Sequence, residues 1–367
     1  MKMKNRKAHG EMKVLGNIQS LRAIAAWAVV YYHYAHHFYD LKPVSTMLKI
    51  VSFYGNFGVD LFFVISGLIM YYSASQRQVS AGEFVRKRLV RIMPAYWFYS
   101  MLLFLLIISP IGLVRLDVPY TWKTLAESVI LVSDDSDTGG AKAPLLYVGW
   151  TLTFEMIFYC IFATGLMLPT RHRLFLVFCT VLLIPLLWPT NWPAARVLGD
   201  YRMFEFASGM AAGAIWLHFK EKMKYRNILV AALLITSIGM LLFMVGPYYK
   251  IGRILAATFI VFASLFDQYL VHLKIAKWLQ KLGDYSYSTY LVHPIVIMLL
   301  HKHLGNQFSR PQEWLIIFGI TILVYFVSIL SWRWVENGPP RHSLELLMRF
   351  GQLIERKIRI KKGSFYF

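Results

Sequence analysis

Two ionisable side chains, Arg22 and His33, lie in a long apolar segment near the start of the chain. Eleven residues are about three helical turns, so in a helix both point to one face, roughly 16 Å apart along the axis. Ionisable groups in an apolar helix are costly and usually functional. Histidine exchanges protons near neutral pH, so His33 is a candidate general base. The alternative is a histidine that only packs between helices.

Two carboxylates, Asp60 and Glu155, occur in later apolar segments, at about the depth of His33 when counted from the segment ends. A carboxylate beside an imidazole orients the ring and stabilises its charged form. We therefore predict that His33, Glu155 and Asp60 lie at one level in the outer half of the membrane and are the catalytic residues, with their lateral arrangement left open. Asp60 has a second interpretation, in which it pins helix packing. Arg202 and Glu205 are one turn apart and are expected to pair with each other.

A basic cluster of Arg86, Arg88 and Arg91 precedes Pro94 and a further apolar segment. Guanidinium groups at a helix start suit a multiply phosphorylated ligand, since arginine binds phosphate through two parallel hydrogen bonds. Coenzyme A carries such phosphates on one end and a long pantetheine arm on the other. The alternative is that the cluster only holds its loop in the cytoplasm.

No metal site and no disulfide is predicted. His36 and His37 complete an H-x-x-H-H pattern with His33 that is compatible with zinc, but they stand among tyrosines typical of a membrane interface. Cys160 and Cys179 both fall within predicted membrane helices.

The composition predicts an all-α integral membrane protein. Of the 367 residues, 57% are hydrophobic and 16% are charged, against about 25% charged residues in a typical soluble domain. The apolar residues fall in blocks of about twenty, the length that crosses a hydrocarbon core. About ten transmembrane helices fit, at roughly 18–39, 52–73, 92–113, 146–168, 173–188, 200–218, 228–246, 253–270, 285–303 and 312–336.

The net charge of +20 reports topology rather than nucleic-acid binding. Threading the ten spans alternately puts most Lys and Arg residues in one set of loops, together with both termini. The positive-inside rule then places both termini in the cytoplasm of a multi-pass bacterial inner-membrane protein. We predict one transmembrane domain over residues 1–338, followed by a cytoplasmic basic amphipathic tail over 339–367 that lies on the bilayer.

These motifs resemble those of the acyltransferase-3 family of integral membrane acyltransferases, and within it the exopolysaccharide acetyltransferases of the succinoglycan type. The resemblance is carried by Arg22 with His33, Arg88 with Arg91, and the segments 57–67, 150–155 and 286–294. The last is a Ser-Tyr…His segment, and its His293 is as typical of a structural residue as of a functional one. It implies acyl-CoA as donor, with acetyl-CoA foremost, and an acceptor hydroxyl on a polysaccharide or a lipid-linked glycan. It further implies a catalytic histidine at His33, donor binding by Arg22, Arg88 and Arg91, and a functional carboxylate at Glu155.

The rival interpretation is a transporter or flippase, because intramembrane arginine, histidine and carboxylate groups also form proton relays. Such proteins usually carry internal repeats, and none stands out here. For the enzyme, we predict a channel for the pantetheine arm along the first helix, past Ala26 and Val29. The acceptor sugar, the choice between acetyl and succinyl, an acyl-enzyme intermediate and the oligomeric state stay open.

Overall fold

The structure is a computed structural model that describes residues 2–42, 45–110, 113–114, 121–131, 144–169, 172–188, 195–220, 226–243, 246–266, 274–305 and 308–348. Its helices, in chain order, are α1 (Lys2–Tyr39), α2 (Thr46–Tyr54), α3 (Phe57–Gln76), α4 (Ala81–Ile108), α5 (Trp122–Val129), α6 (Trp150–Leu166), α7 (Arg173–Leu187), α8 (Ala195–Leu198), α9 (Met203–Phe219), α10 (Arg226–Phe243), α11 (Tyr249–Phe266), α12 (Lys274–Asp284), α13 (Ser286–Leu304) and α14 (Arg310–Ser331). A 3₁₀ turn (Tyr147–Gly149) leads into α6, and a π-helical turn (Trp332–Glu336) ends α14. No strand occurs among these residues, and the all-helical prediction is confirmed.

Five helical stretches are long and apolar enough to cross a membrane: Phe57–Gln76, Ala81–Ile108, Tyr147–Leu166, Tyr249–Phe266 and Pro311–Met348. Two shorter apolar helices are Arg173–Leu187 and Asn227–Phe243. The other three predicted spans coincide with α1, α9 and α13, which carry ionisable side chains such as His33, Glu205 and His293. Every predicted span therefore overlaps a helix, while the number of membrane crossings stays a prediction.

Local sequence signals explain where α4 and α14 begin. The Ser80 hydroxyl accepts a hydrogen bond from the backbone N–H of Glu83, which satisfies one of the free N–H groups at the start of α4. Ser309 and Gln312 form a capping box at the start of α14, with proline in its first turn. The start of α4 matters for the site because the basic cluster lies within its first three turns.

Two glycines bring α3 against α9. A Cβ atom at Gly67 would collide with the backbone of Phe206, and one at Gly209 would collide with the backbone of Val64. Small residues at such crossings let backbones approach closely, which is how helices associate where lipid supplies no hydrophobic drive. The Phe206 ring stacks on Phe158 of α6 and lies tilted against Phe63 of α3, which extends this packing towards α6.

α1 lies at the centre of the bundle and packs against α3, α12 and α13. Gly58 in α3 faces the Ala25 backbone and the Val29 side chain of α1 closely enough that a Cβ atom would clash. This approach sets the neighbouring residue Asp60 at the level of the second half of α1. The functional side chains of α1, α3 and α13 therefore meet in the interior of the bundle.

The predicted tail is described only in part. Residues 339–348 are helical, and Arg86 of α4 forms a salt bridge of 3.7 Å to Glu345 within this segment. Residues 349–367 lie outside the described residues, so the amphipathic tail and the division at residue 338 stay predictions.

Candidate active site

Two cavities contain most of the predicted site residues. The histidine cavity, of about 630 Å³, is lined by His33, Asp60, Arg253 and a set of aromatic residues that includes Tyr147 and Trp150. The arginine cavity, of about 110 Å³, is lined by Arg22, Arg88, Arg91, Glu155, Tyr159 and Tyr287, among others. The predicted site residues thus fall into two groups in adjacent parts of the bundle.

His33 is bonded to a second histidine in the interior. Its Nδ1 lies 2.9 Å from Nε2 of His293, and Nδ1 of His293 lies 3.0 Å from the carbonyl oxygen of Thr289. A carbonyl oxygen only accepts, so Nδ1 of His293 carries a hydrogen and Nε2 of the neutral ring accepts from His33. The proton of His33 then sits on Nδ1, which leaves Nε2 with a free lone pair. This is the tautomer that a general base needs.

His293 is a functional candidate that the sequence left undecided. It precedes Pro294 in a continuous buried stretch of α13, which is equally typical of a structural residue. In the structure His293 is fully buried and its ring stacks on His33 with centroids 5.1 Å apart. The late Ser-Tyr…His segment was the only signal that pointed to it.

Aromatic rings surround the exposed side of His33. Tyr32 and Tyr147 approach it edge-on, with ring centroids at 5.2 Å and 5.0 Å. Trp150, Tyr201 and Tyr249 line the same cavity. Aromatic faces with nearby polar groups are suited to hold a sugar ring, because one side of the ligand is apolar and its edge is polar.

Asp60 lies in the histidine cavity, where Arg253 of α11 engages its carboxylate. The Arg253 Nε donates to Oδ1 at 3.0 Å, and Nη2 donates to Oδ2. Arg253 Nη1 also donates to Asn56 Oδ1 at 3.0 Å and to Tyr249 Oη at 2.8 Å. This network ties α3 to α11, which favours the packing interpretation of Asp60, while its part in the chemistry stays a prediction.

Glu155 lies in the arginine cavity and not beside His33. Its Oε1 accepts hydrogen bonds from Tyr159 Oη and, at 3.3 Å, from Ser66 Oγ. The described residues show no hydrogen bond between Glu155 and His33, whose Nδ1 partner is His293, and the catalytic role of Glu155 stays a prediction. Depth along a helix is readable from sequence, but the rotation of α6 is not. The face of α6 that carries Glu155 and Tyr159 lines the cavity with Arg22 and Arg88.

The arginine cavity holds three of the four predicted donor-binding residues. Arg22 Nη1 donates to Gln19 Oε1 at 3.0 Å. Arg88 lies over the rings of Phe84 and Tyr159 at 5.4 Å and 5.5 Å, and its Nε is buried without a hydrogen-bond partner among the described residues. Both guanidinium groups therefore keep N–H donors available inside the cavity.

Arg86 is placed away from these three. It lines none of the cavities around the site and instead pairs with Glu345. A third cavity, which we call the basic cavity, has a volume of about 720 Å³ and is lined by Arg77, Lys87 and Arg88 beside apolar residues. Arg88 lines both the basic and the arginine cavity, so it connects the start of α4 to the interior.

Two expectations about single residues are wrong. Arg202 does not pair with Glu205; its Nη1 donates to Asp200 Oδ2 at 2.9 Å, and Glu205 is fully buried. Ala26 lines none of these cavities, although Val29 does border the histidine cavity. The two residues that line both the arginine and the histidine cavity belong to α3 and α13, while α1 contributes Arg22 to the first cavity and His33 to the second. Within the described part of the chain, no three His, Cys, Asp or Glu side chains are arranged to hold a metal ion.

Comparison with known proteins gives a consistent result. The model of the acyltransferase domain of the acyltransferase-3 type matches residues 15–333. The exopolysaccharide production protein ExoZ of Rhizobium meliloti (strain 1021) is 31% identical over 255 residues, 68% of this chain and 78% of that protein. The acyltransferase MdmB of Streptomyces mycarofaciens is 25% identical, over 82% of this chain and 83% of that protein. The putative membrane-bound transacylase BcsY of Komagataeibacter xylinus is 28% identical, over 77% and 76%. No solved structure matches the chain.

Proposed function

Because this chain belongs to the acyltransferase-3 family of membrane proteins, we propose that it transfers an acyl group from cytoplasmic acyl-CoA to a sugar hydroxyl. The acceptor is an exported or cell-envelope polysaccharide, or its lipid-linked precursor, and acetyl-CoA is the donor. The observation that carries the proposal is the His33–His293 pair, which leaves Nε2 of His33 free in a cavity that borders the cavity of Arg22, Arg88 and Arg91.

The topology that we propose has about ten transmembrane helices, with both termini in the cytoplasm of a bacterial inner membrane. The charge asymmetry of the loops supports this orientation. In this frame the basic cavity faces the cytoplasm, the histidine cavity lies towards the outer surface, and the arginine cavity lies between them. The donor and the acceptor then approach from opposite sides.

The donor binds with its phosphates at the basic cavity. Lys87 and Arg88 lie next to each other near the start of α4, where their charges attract phosphate. Arg22, Arg88 and Arg91 then line the path of the pantetheine arm. Glu155, bonded to Tyr159 and Ser66, balances part of their charge. Arg86 serves the contact with residues 339–348 and not the donor.

The chemical step uses His33 as a general base. Nε2 of His33 takes the proton of the acceptor hydroxyl while the hydroxyl oxygen bonds to the thioester carbonyl carbon. The carbon–sulfur bond breaks, and the thiolate of coenzyme A receives the proton from the His33 imidazolium. Nε2 of His293 accepts the hydrogen bond from Nδ1–H of His33 throughout, so His293 fixes both the orientation and the tautomer of the His33 ring.

The acceptor class is inferred from the relatives and from the shape of the histidine cavity. One relative is named for exopolysaccharide production, and another, YrhL of Bacillus subtilis (strain 168), is named a putative peptidoglycan O-acetyltransferase. The aromatic lining of the histidine cavity supports a sugar acceptor here as well.

The proposal is tested by mass spectrometry of the cell's surface polysaccharide from strains with the gene, without it, and with His33→Ala in its place. We expect acetyl esters only with the native chain, while the His33→Ala protein is made and inserted at normal levels. The matched control is His303→Ala, because His303 is exposed at the end of α13 and lines neither the histidine nor the arginine cavity. Acetylation that persists with His33→Ala would contradict the proposal.

A further inference from the structure

Two side chains line both the arginine and the histidine cavity, and we call them the shared wall. Among the described residues, Val59 of α3 and Tyr290 of α13 are the two that line both cavities. Both are largely buried, with 9% and 6% of their surfaces exposed. A thioester that passes directly from the arginine cavity to the histidine cavity therefore passes beside these side chains.

Tyr290 is held in place on both of its ends. Its hydroxyl group bonds to Thr151 Oγ1 at 2.9 Å and to the Val148 carbonyl oxygen at 3.2 Å. Its ring packs against His293 and Phe62, with centroids at 5.8 Å and 6.1 Å. The aromatic side of the wall is thus attached to the start of α6 and to the partner of His33.

Val59 is held by the residues on either side of it. Gly58 is pressed against the Ala25 backbone, and Asp60 is bonded to Arg253. A β-branched side chain on a helix has one strongly preferred rotamer. Val59 therefore has little freedom to move aside, and the opening between it and Tyr290 is set by the fold.

We propose that Val59 and Tyr290 form a constriction that selects the acyl group of the donor, so that acetyl passes and longer or carboxylated acyl groups do not. This inference rests on the proposed function, since the acyl group is the leading end of the donor. Neither wall residue carries a charge. A succinyl carboxylate is retained by Arg22, Arg88 and Arg91 on the donor side and finds no partner in the constriction.

The test is a competition between donors. The purified chain in lipid nanodiscs receives the lipid-linked glycan fraction of its own host with equal acetyl-, butyryl- and succinyl-CoA, and the transferred acyl groups are counted by mass spectrometry. Val59→Ala widens the constriction, whereas Val59→Leu narrows it. The control is Val64→Ala, the same truncation at a fully buried position of α3 that lines neither cavity.

We expect the native chain and Val64→Ala to transfer acetyl almost alone. Val59→Ala should raise the butyryl-to-acetyl ratio by about tenfold or more, because a change of one or two methylene groups in an apolar site changes specificity by that order. Val59→Leu should lower the rate of acetyl transfer. If Val59→Ala does not fold, this rate alone tests whether Val59 controls passage of the acyl group.

Three results overturn the constriction: a butyryl-to-acetyl ratio in Val59→Ala that equals the native one, normal acetyl transfer by Val59→Leu, or succinyl transfer by the native chain at the acetyl rate. Each of them leaves the acyltransferase proposal intact. A folded native chain that transfers none of the three groups refutes the proposed function, and the constriction is then refuted with it.

Discussion

One ring nitrogen of His33 points to its cavity because His293 occupies the other. The hydrogen bond that one ring nitrogen makes decides which nitrogen of a histidine carries the proton. Nδ1–H of His293 donates to the Thr289 carbonyl oxygen, so Nε2 of His293 accepts the hydrogen bond from His33 Nδ1. A second imidazole and a backbone carbonyl therefore orient the proposed base.

Replacing His293 separates a positioning role from simple packing. His293→Leu should lower kcat by about 10²–10⁴-fold with little change in the KM for acyl-CoA, which is the range expected when a general base loses its alignment. His293→Gln keeps an acceptor oxygen near the position of Nε2, and it should recover a measurable part of the rate. Steady-state kinetics of the purified variants gives both values. Equal kcat losses in the two variants would indicate that packing alone matters at this position.

Arg88 and Arg91 provide a second test at the residue scale. Arg88→Ala with Arg91→Ala should weaken binding of a non-hydrolysable acyl-CoA analogue, because each lost charge-assisted hydrogen bond costs about 1.5–3 kcal/mol. Calorimetric titration measures the change in Kd. The matched control is Arg86→Ala, which removes a neighbouring arginine of the same helix that lies outside the cavity. If the control weakens binding as much as the double variant, the cluster acts through its overall charge and not through the arginine cavity.

At the scale of the helices, α3 lines both cavities of the site and is held in place by α1 and α9. One end of it approaches α1 at Gly58, and its middle crosses α9 at Gly67 and Gly209. Between these points it presents Val59, Asp60 and Ser66 to the two cavities. A small change in the position of α3 therefore alters both cavities at once.

We expect Gly67→Leu to destabilise the protein and to abolish transfer. A leucine side chain cannot fit against the Phe206 backbone without moving α3 from α9, and overpacking of this kind costs about 1–3 kcal/mol or more. The protein in detergent is heated, and the fraction that stays monodisperse on size-exclusion chromatography is measured at each temperature. The Tm of Gly67→Leu should be lower than that of the native chain. The control is Gly239→Leu in α10, where no atom lies within 4 Å of the added Cβ. A native Tm for Gly67→Leu would mean that the α3–α9 crossing is looser than described.

Across the whole molecule, the three cavities form a series. Arg88 borders the basic and arginine cavities, and Val59 and Tyr290 border the arginine and histidine cavities. The series leads from the charged start of α4 to the aromatic surroundings of His33. In the reaction that we propose, this arrangement would keep a charged donor and a sugar acceptor apart and let only the acyl group travel between them.

The series of cavities predicts that acyl-CoA is used from one face of the membrane only. In sealed membrane vesicles of known orientation, acyl-CoA should support transfer only when it is added to the cytoplasmic face, because its phosphates cannot cross the bilayer or pass the constriction. Inside-out and right-side-out vesicles with the same amount of protein are compared, and detergent-opened samples of each serve as the control. Equal activity from both faces would contradict the path through the bundle, although the acyltransferase proposal could survive.

The sequence by itself determined the class of the protein and the identity of most candidate residues. The composition and the apolar blocks predicted an all-helical membrane protein because lipid allows few alternatives to helices. The spacing of Arg22 and His33, and the cost of placing charge in lipid, pointed to both residues without any coordinates. These signals are local in the chain, since they depend on residue type and on helical repeat alone.

Tertiary structure alone decided which of these residues meet. Depth in the membrane follows from position along a helix, but the rotation of each helix and its neighbours follow from packing over long sequence separations. Glu155 was therefore predicted at the depth of His33 and lies with the arginines, while His293 was left undecided and lies against His33. The hydrogen bond from Arg253 to Asp60 likewise joins two helices that are far apart in the sequence. Contacts of this kind depend on how side-chain shapes fit between helices, and no single segment of the sequence contains that information.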